Sequence, residues 1–172
     1  MTWPDLSLNE WVVLALLAEA PTHGFGIARE LRADADLGRI LTVHRPLVYR
    51  ALDRVVGAGL AELHHTEPGD AGPTRTLHGI TGTGRSALGV WLGEPVTHVR
   101  DLRIEFLVKL RLSERSGRDP TALITAQQAA LAGTLERLTR LAPPADAVDL
   151  WRYHNALAAR QFLTAVAAAA AT

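Results

Sequence analysis

The chain has 172 residues, 48% of them hydrophobic, enough for one domain of moderate size or for a small domain with an appended one. It contains no cysteine, which excludes disulfides, thiol nucleophiles and thiolate zinc sites. Its 18 basic and 18 acidic residues balance to a net charge of zero, which argues against a nonspecific polyanion binder coated in lysine.

Two helices are predicted in the first 36 residues. Ser7-Leu8-Asn9-Glu10 has the form of a capping box, so the first helix starts there and ends before Pro21. Its residues are apolar on nearly all sides, which predicts a helix buried in the middle of a small domain. The second helix opens at His23-Gly24 and continues to about Asp36.

A third helix, with Pro46 at its first position, is predicted to have one apolar and one basic face. Apolar residues spaced three and four positions apart form the face that is predicted to pack in a core: Leu47, Val48, Ala51, Leu52, Val55 and Val56. Arginines and a tyrosine lie mostly on the other side: Arg45, Tyr49, Arg50 and Arg54. Such a helix suits the DNA major groove, although an ordinary amphipathic helix has the same pattern. The segment from Arg39 to Arg85 contains six arginines and four acidic residues, so basic charge is concentrated here.

A hairpin and a fourth helix follow. After Gly59 the side chains alternate with a period of two, and Thr74–Ile80 predicts a second strand. The turn-rich segment Glu67–Pro73 joins the two strands. Thr81 then caps a helix over Gly82–Leu92. Three helices, a hairpin and another helix within about 90 residues are the order of a winged helix-turn-helix.

Beyond residue 97 the sequence predicts helices to its end. Asp101 is expected to cap a helix over Leu102–Leu112. Two longer helices follow, from Pro120 or Thr121 to Leu141 and from Ala145 to about Ala170. Their apolar stripes need a partner surface, most simply the same helices of a second copy.

The chain is thus predicted to be mostly α, with an N-terminal winged helix-turn-helix DNA-binding domain over residues 1–93 and a C-terminal helical dimerisation domain over residues 94–172. Several motifs resemble the PadR family of bacterial transcriptional regulators: Pro21-Thr22-His23-Gly24-Phe25, Val48-Tyr49-Arg50-Ala51-Leu52, Pro73-Thr74-Arg75-Thr76-Leu77 and Ile80-Thr81-Gly82-Thr83-Gly84-Arg85. The resemblance implies a homodimer, paired through its C-terminal helices, that binds double-stranded palindromic operator DNA and usually represses nearby genes. In some members a small aromatic or hydrophobic effector releases the DNA.

Arginines of the third helix are the first candidates for DNA contact. An arginine at the start of a recognition helix can make a bidentate contact to guanine, so Arg45 and Arg50 are expected to contact bases. Arg54, one turn further on, is expected to contact phosphate. The alternative is a solvated face with a salt bridge to Asp53 or Glu62.

The other candidate DNA contacts each have a structural alternative. Thr42 and His44 either cap the third helix or contact phosphate, and Tyr49 either donates to phosphate or packs half-buried in the core. Arg75, just after the wing tip, enters the minor groove, binds phosphate or contacts nothing specific. The same choice exists at the second helix, whose N–H groups at His23 and Gly24 either receive a phosphate or are capped by His23.

No pattern for an enzyme or a metal centre is apparent. The histidines form no His-x-x-x-His pair, and His64 and His65 are strand neighbours whose side chains should point to opposite faces. The sequence also lacks a Gly-rich phosphate loop, a Gly-x-Ser-x-Gly elbow and a pair of loop carboxylates. We therefore expect no catalysis, no metal and no cofactor. Without a signal peptide or a transmembrane segment, the protein is expected in the cytoplasm and not at a membrane.

Aromatic residues of the last helix form a second candidate site. Trp151, Tyr153 and His154 lie where two protomers would meet, so they either hold a flat effector or pack as interface aromatics. Trp11 and Trp91 stand at core spacing and are predicted to be structural. Two alternatives to a regulator stay open: a protein–protein adaptor whose arginine face meets an acidic partner, and a small-molecule binding protein with its ligand at Trp151.

Overall fold

The computed structural model describes residues 4–69, 72–140 and 146–170. In chain order these ranges contain α1 (Leu8–Glu19), α2 (Gly24–Glu30), α3 (Arg45–Gly57), β1 (Ala61–Gly69), β2 (Gly72–Ile80), α4 (Gly82–Gly93), a 3₁₀ turn (Val99–Arg103), α5 (Glu105–Arg115), α6 (Thr121–Arg140) and α7 (Ala147–Ala170). The predicted mostly α fold, with a winged helix-turn-helix followed by C-terminal helices, is confirmed. The predicted helix ends at Leu141 and Ala145, and residues 70–71 of the predicted turn, lie outside the described residues.

The chain divides into two compact units, Met1–Leu92 and Gly93–Thr172. The roles assigned to residues 1–93 and 94–172, DNA binding and dimerisation, stay predictions. Among the described helices, none is both long and apolar enough to cross a bilayer.

Helix α1 is the buried helix of the N-terminal unit. All residues from Trp11 to Leu17 are buried, as their nearly continuous apolar sequence predicts. At the start of α1 the backbone N–H of Ser7 donates to the Glu10 carboxylate at 2.7 Å, the reciprocal bond of a capping box. Trp11 stacks on Trp91 of α4, with ring centroids 5.2 Å apart and planes within 6°. The structural role predicted for these two tryptophans is confirmed.

The second helix is shorter than predicted. It ends at Glu30 rather than near Asp36, and turns occupy most of residues 31–40. The carbonyl of Leu31 accepts a hydrogen bond from the Val43 N–H at 3.1 Å. Because this bond fixes the segment that leads into α3, the carbonyl is not used to extend α2. The turns also allow both Leu31 and Leu37 to be fully buried.

Strands β1 and β2 form an antiparallel hairpin, the wing. The register shifts between Leu63 and His65, which leaves His64 as an extra residue in β1. This bulge brings the rings of His64 and His65 to 5.1 Å, so the expectation that they point to opposite faces is wrong. At the end of the wing, the Thr81 hydroxyl accepts from the Gly84 N–H at 3.0 Å, and the predicted cap of α4 is confirmed.

The C-terminal unit has its own apolar core, to which the 3₁₀ turn, α5, α6 and α7 contribute. Phe106 of α5 meets Phe162 of α7 edge to face, with ring centroids 6.2 Å apart. The predicted start of α5 is wrong, because Asp101 lies inside the 3₁₀ turn and α5 begins at Glu105. The Asp101 carboxylate faces His98 at 3.3 Å instead of capping a helix.

Gln127, fully buried on α6, ties the first residues of this unit to the core. Its Oε1 accepts from the Val96 N–H and its Nε2 donates to the Val96 carbonyl, both at 2.8 Å. Gln127→Met leaves these two buried backbone groups unpaired, at about 1–3 kcal/mol each. We expect the free energy of unfolding to fall by about 2–6 kcal/mol. Urea denaturation followed by circular dichroism measures this change.

Gln161→Met, at an exposed position of α7, is the matched control and is expected to change stability by less than about 0.5 kcal/mol. Equal midpoints for the two variants would show that the Val96 backbone finds other partners.

Candidate nucleic-acid interface

Helix α3 has a buried apolar face and an exposed basic face. Val48, Ala51, Leu52 and Val55 are buried, whereas Arg45, Arg50 and Arg54 are exposed. This division agrees with the predicted faces of the helix. Leu47 is the exception, because it was assigned to the core and is 42% exposed. Its spacing of three and seven residues from Arg50 and Arg54 places it on their edge of the helix.

Carboxylates do not neutralise the arginines of α3. Within the described residues, Arg45, Arg50 and Arg54 make no ion pair, and the predicted alternative of a salt bridge to Asp53 or Glu62 does not occur. Three exposed guanidinium groups therefore keep their full positive charge on one helix. Such a surface attracts the phosphate backbone of a nucleic acid.

A groove of about 550 Å³ separates α2, α3 and the wing. Five of the nine predicted DNA contacts line it: His23, Gly24, Arg45, Tyr49 and Arg75. The other four do not line this groove: Thr42, His44, Arg50 and Arg54. The structure thus places the predicted residues in two groups, one in the groove and one at the start and outer edge of α3.

The guanidinium of Arg45 lies near two aromatic rings of the groove. Its Cζ is 5.6 Å from the ring centroid of Phe25 and 5.5 Å from that of Tyr49. Its Nη2 also donates to the Tyr49 hydroxyl at 3.5 Å, the long end of the hydrogen-bond range. Tyr49 is 38% exposed and lines the groove, so it is partly buried there without belonging to the core, and its contact with phosphate stays a prediction.

Two features of this arrangement are absent from the predicted site. Phe25 is not among the predicted contacts, although it stands beside His23 and Gly24 and is 55% exposed. The only sequence signal was an aromatic residue in the first turn of a helix. Gly24 lets the Tyr49 ring approach, because a Cβ at this position would lie 2.8 Å from Tyr49 Cε1.

The capping alternatives have different outcomes. His23 does cap α2, since its Nδ1 accepts from the Gly26 N–H at 2.8 Å. Thr42 does not cap α3, because its hydroxyl donates to the Gly38 carbonyl at 2.8 Å. His44 occupies the N-cap position of α3 without a side-chain bond to the helix. The capping alternative is therefore wrong for Thr42 and His44, and contact with phosphate stays a prediction for both.

No described part of the chain gathers three or more side chains that could ligate a metal ion. His64 and His65 form only a pair, in which the bulge in β1 brings the two rings together. Arg75 is exposed on β2, paired through its backbone with Glu67.

The aromatic residues of α7 are not enclosed within one protomer. Trp151 is 70% exposed, and Val148 and Leu150 are exposed beside it in the first two turns of α7. Tyr153 is half-buried, and its ring meets that of His154 edge to face at 5.4 Å. An effector site at these residues stays a prediction.

Comparison with known proteins identifies the N-terminal unit. Residues 13–90 match the Transcriptional regulator PadR-like family. The whole fold is similar to Bacillus subtilis PadR in complex with operator DNA, with 17% identity and a TM-score of 0.51 over 96% of this chain and 97% of that chain. A Streptococcus mutans UA159 protein matches with 18% identity and a TM-score of 0.45, over 92% of this chain and 98% of that chain. No curated protein matches the sequence. The match to the PadR-like family thus begins within α1 and ends within α4, and it covers the winged helix-turn-helix of the N-terminal unit.

Proposed function

We propose that this protein is a sequence-specific DNA-binding transcription regulator, a homodimer that binds a palindromic operator and represses nearby genes. The three exposed arginines of α3, which no described carboxylate neutralises, are the observation that carries this proposal. The family of the N-terminal unit and the operator-bound state of the Bacillus subtilis protein of similar fold support it. Since its target is genomic DNA, the proposal places the protein in the cytoplasm.

In the proposed complex α3 lies in the major groove and the wing reaches the adjacent minor groove or backbone. Arg45 and Arg50 contact base edges, and Arg54 contacts phosphate one turn further along. The Tyr49 hydroxyl accepts from Arg45, so its own proton is available for a phosphate oxygen. Arg75 on the wing binds the minor groove or a phosphate.

The remaining predicted contacts lie at the N-terminal ends of α2 and α3, and we assign them to the phosphate backbone: His23, Gly24, Thr42 and His44. Because Nδ1 of His23 accepts the Gly26 N–H that it caps, the contact from His23 is assigned to its Nε2–H. The Thr42 hydroxyl oxygen and the His44 side chain precede α3, where a phosphate is expected to pass as α3 enters the groove. These contacts orient the protein on the duplex and do not read its sequence.

Dimerisation through residues 94–172 explains how a chain of zero net charge binds DNA. Two basic α3 helices then act on one duplex, with half-sites about 34–36 Å apart. The exposed apolar residues of α7 support such pairing, because Val148, Leu150 and Trp151 are otherwise left in water. In the same proposal a small aromatic or hydrophobic effector binds at Trp151, Tyr153 and His154 and releases the DNA.

Fluorescence anisotropy with a duplex from upstream of the protein's own gene tests the proposal. At about 150 mM salt we expect a nanomolar Kd that an unrelated duplex does not compete away. If Arg54 and Arg75 of each protomer contact phosphate, affinity is expected to fall about 10²-fold between 50 and 200 mM salt. Equal affinity for both duplexes would contradict sequence-specific binding, and binding to neither would favour the adaptor alternative.

A further inference from the structure

Phe25 is an exposed apolar ring whose position burial does not explain. It lies in the first turn of α2, with more than half of its surface in contact with solvent. Its ring contacts are with His23, at 6.2 Å between centroids, and with the guanidinium of Arg45.

The side chain of Arg45 needs support from outside α3. Arg45 is the first residue of α3, and helical side chains point toward the N-terminal end of their helix. No preceding turn of α3 is therefore available to hold its guanidinium. Phe25 of α2 and Tyr49 of α3, here called the aromatic clamp, supply that support from two different helices.

We propose that the aromatic clamp orients the Arg45 guanidinium for a bidentate contact to one guanine, and that Phe25 is thereby a positioning residue for base discrimination. This inference rests on the proposed function and adds a residue to it. Phe25 acts on DNA through Arg45.

Orientation matters for base reading more than for phosphate binding. A bidentate contact to guanine O6 and N7 needs the flat guanidinium in one plane, whereas a phosphate accepts hydrogen bonds from many directions. Two rings in contact with one guanidinium restrict the rotamers of the arginine before DNA binds. Among the arginines of α3, the described ring contacts belong to Arg45, which marks it as the oriented reader.

The first test is operator binding by the full-length protein, measured on the operator and on duplexes with single base-pair changes in each half-site. We expect Phe25→Ala to lower operator affinity about 5–30-fold, from the loss of one cation–π contact in each protomer. Phe25→Ala should lose discrimination at the same base pair at which Arg45→Ala loses it. Phe25→Tyr, which keeps the ring, should behave like the wild type.

Controls separate this effect from a general loss of structure. Val90→Ala removes a comparably exposed apolar side chain from α4 and should leave affinity and discrimination unchanged. In the Arg45→Ala background, Phe25→Ala should have no further effect, because its action passes through Arg45. Three results would overturn the proposal. Phe25→Ala could still lower affinity in the Arg45→Ala background, it could lower discrimination equally at all base pairs, or it could bind the operator more tightly than the wild type.

A second measurement does not depend on DNA. In the NMR spectrum of the free protein, the side-chain protons of Arg45 should be shifted upfield by the two rings, and the shift should shrink in Phe25→Ala. Unshifted Arg45 protons would overturn the aromatic clamp even if the protein binds its operator. Shifted protons without any operator binding would instead uphold the clamp and reject the proposed function.

Discussion

Arg50→Ala is expected to weaken operator binding by about 2–6 kcal/mol and to leave the homodimer intact. A bidentate contact to guanine is worth about 1–3 kcal/mol, and a homodimer loses this contact in both half-sites. The substitution should cost little stability, because Arg50 is exposed and without an ion pair among the described residues, and alanine favours helices. Anisotropy gives the affinity, and light scattering gives the mass of the protein.

Two further arginine variants show whether the effect belongs to base reading. Arg54→Ala should weaken binding to all duplexes alike and reduce the salt dependence of affinity by about one unit per protomer in log–log slope. Arg32→Ala removes an equal charge from a turn outside α3, where Arg32 pairs with Asp34 at 3.2 Å, and should change affinity little. Affinity of Arg50→Ala within twofold of the wild type would show that α3 does not read the operator through this residue.

If the protein is the proposed homodimer, Trp151→Glu is expected to convert it into monomers and, through this, to abolish tight operator binding. Loss of a tryptophan at the centre of an interface weakens the free energy of association by about 2 kcal/mol or more, and a symmetric dimer contains this residue twice. The dimer Kd should therefore rise at least about 10³-fold. The fold of each protomer should be unaffected, because the side chain is 70% exposed in the single chain.

Sedimentation velocity over a range of protein concentrations measures this change, and circular dichroism verifies the fold. Val90→Glu introduces the same charge at an exposed apolar position of α4 and should leave the dimer unchanged. A dimer of undiminished affinity in Trp151→Glu would place the protomer contact elsewhere. The effector proposal for Trp151, Tyr153 and His154 would then lose its structural basis as well.

Patterns within one element predicted the structure well. The all-apolar sequence of α1, the cap at Thr81 and the two faces of α3 follow from local spacing, and the structure agrees with each. Local spacing failed where a partner segment decided the conformation. α2 ends at Glu30 and is followed by turns in which the Leu31 carbonyl bonds to the segment before α3, and the bulge at His64 lies where β1 pairs with β2.

The candidate site shows the same limit. The arginines of α3 were predicted from their own helix, but the contact between Arg45 and Phe25 joins residues twenty positions apart on two helices. Helical periodicity carries no information about such a contact. Leu47 was misassigned for a related reason. It lies at the edge of the apolar face, next to Val48 in sequence and three residues before Arg50, so its position on the helix fits either the buried or the exposed side.

The unneutralised arginines of α3 also affect the protein when no DNA is bound. Arg50 and Arg54 stand four residues apart on one helix, a spacing at which like charges destabilise by about 0.2–0.5 kcal/mol. Dissolved salt screens this repulsion, and the same salt weakens the attraction between the protein and DNA. Raising the ionic strength therefore relieves charge repulsion in the free protein while it weakens the proposed complex with DNA, so that both effects shift the equilibrium toward the unbound protein.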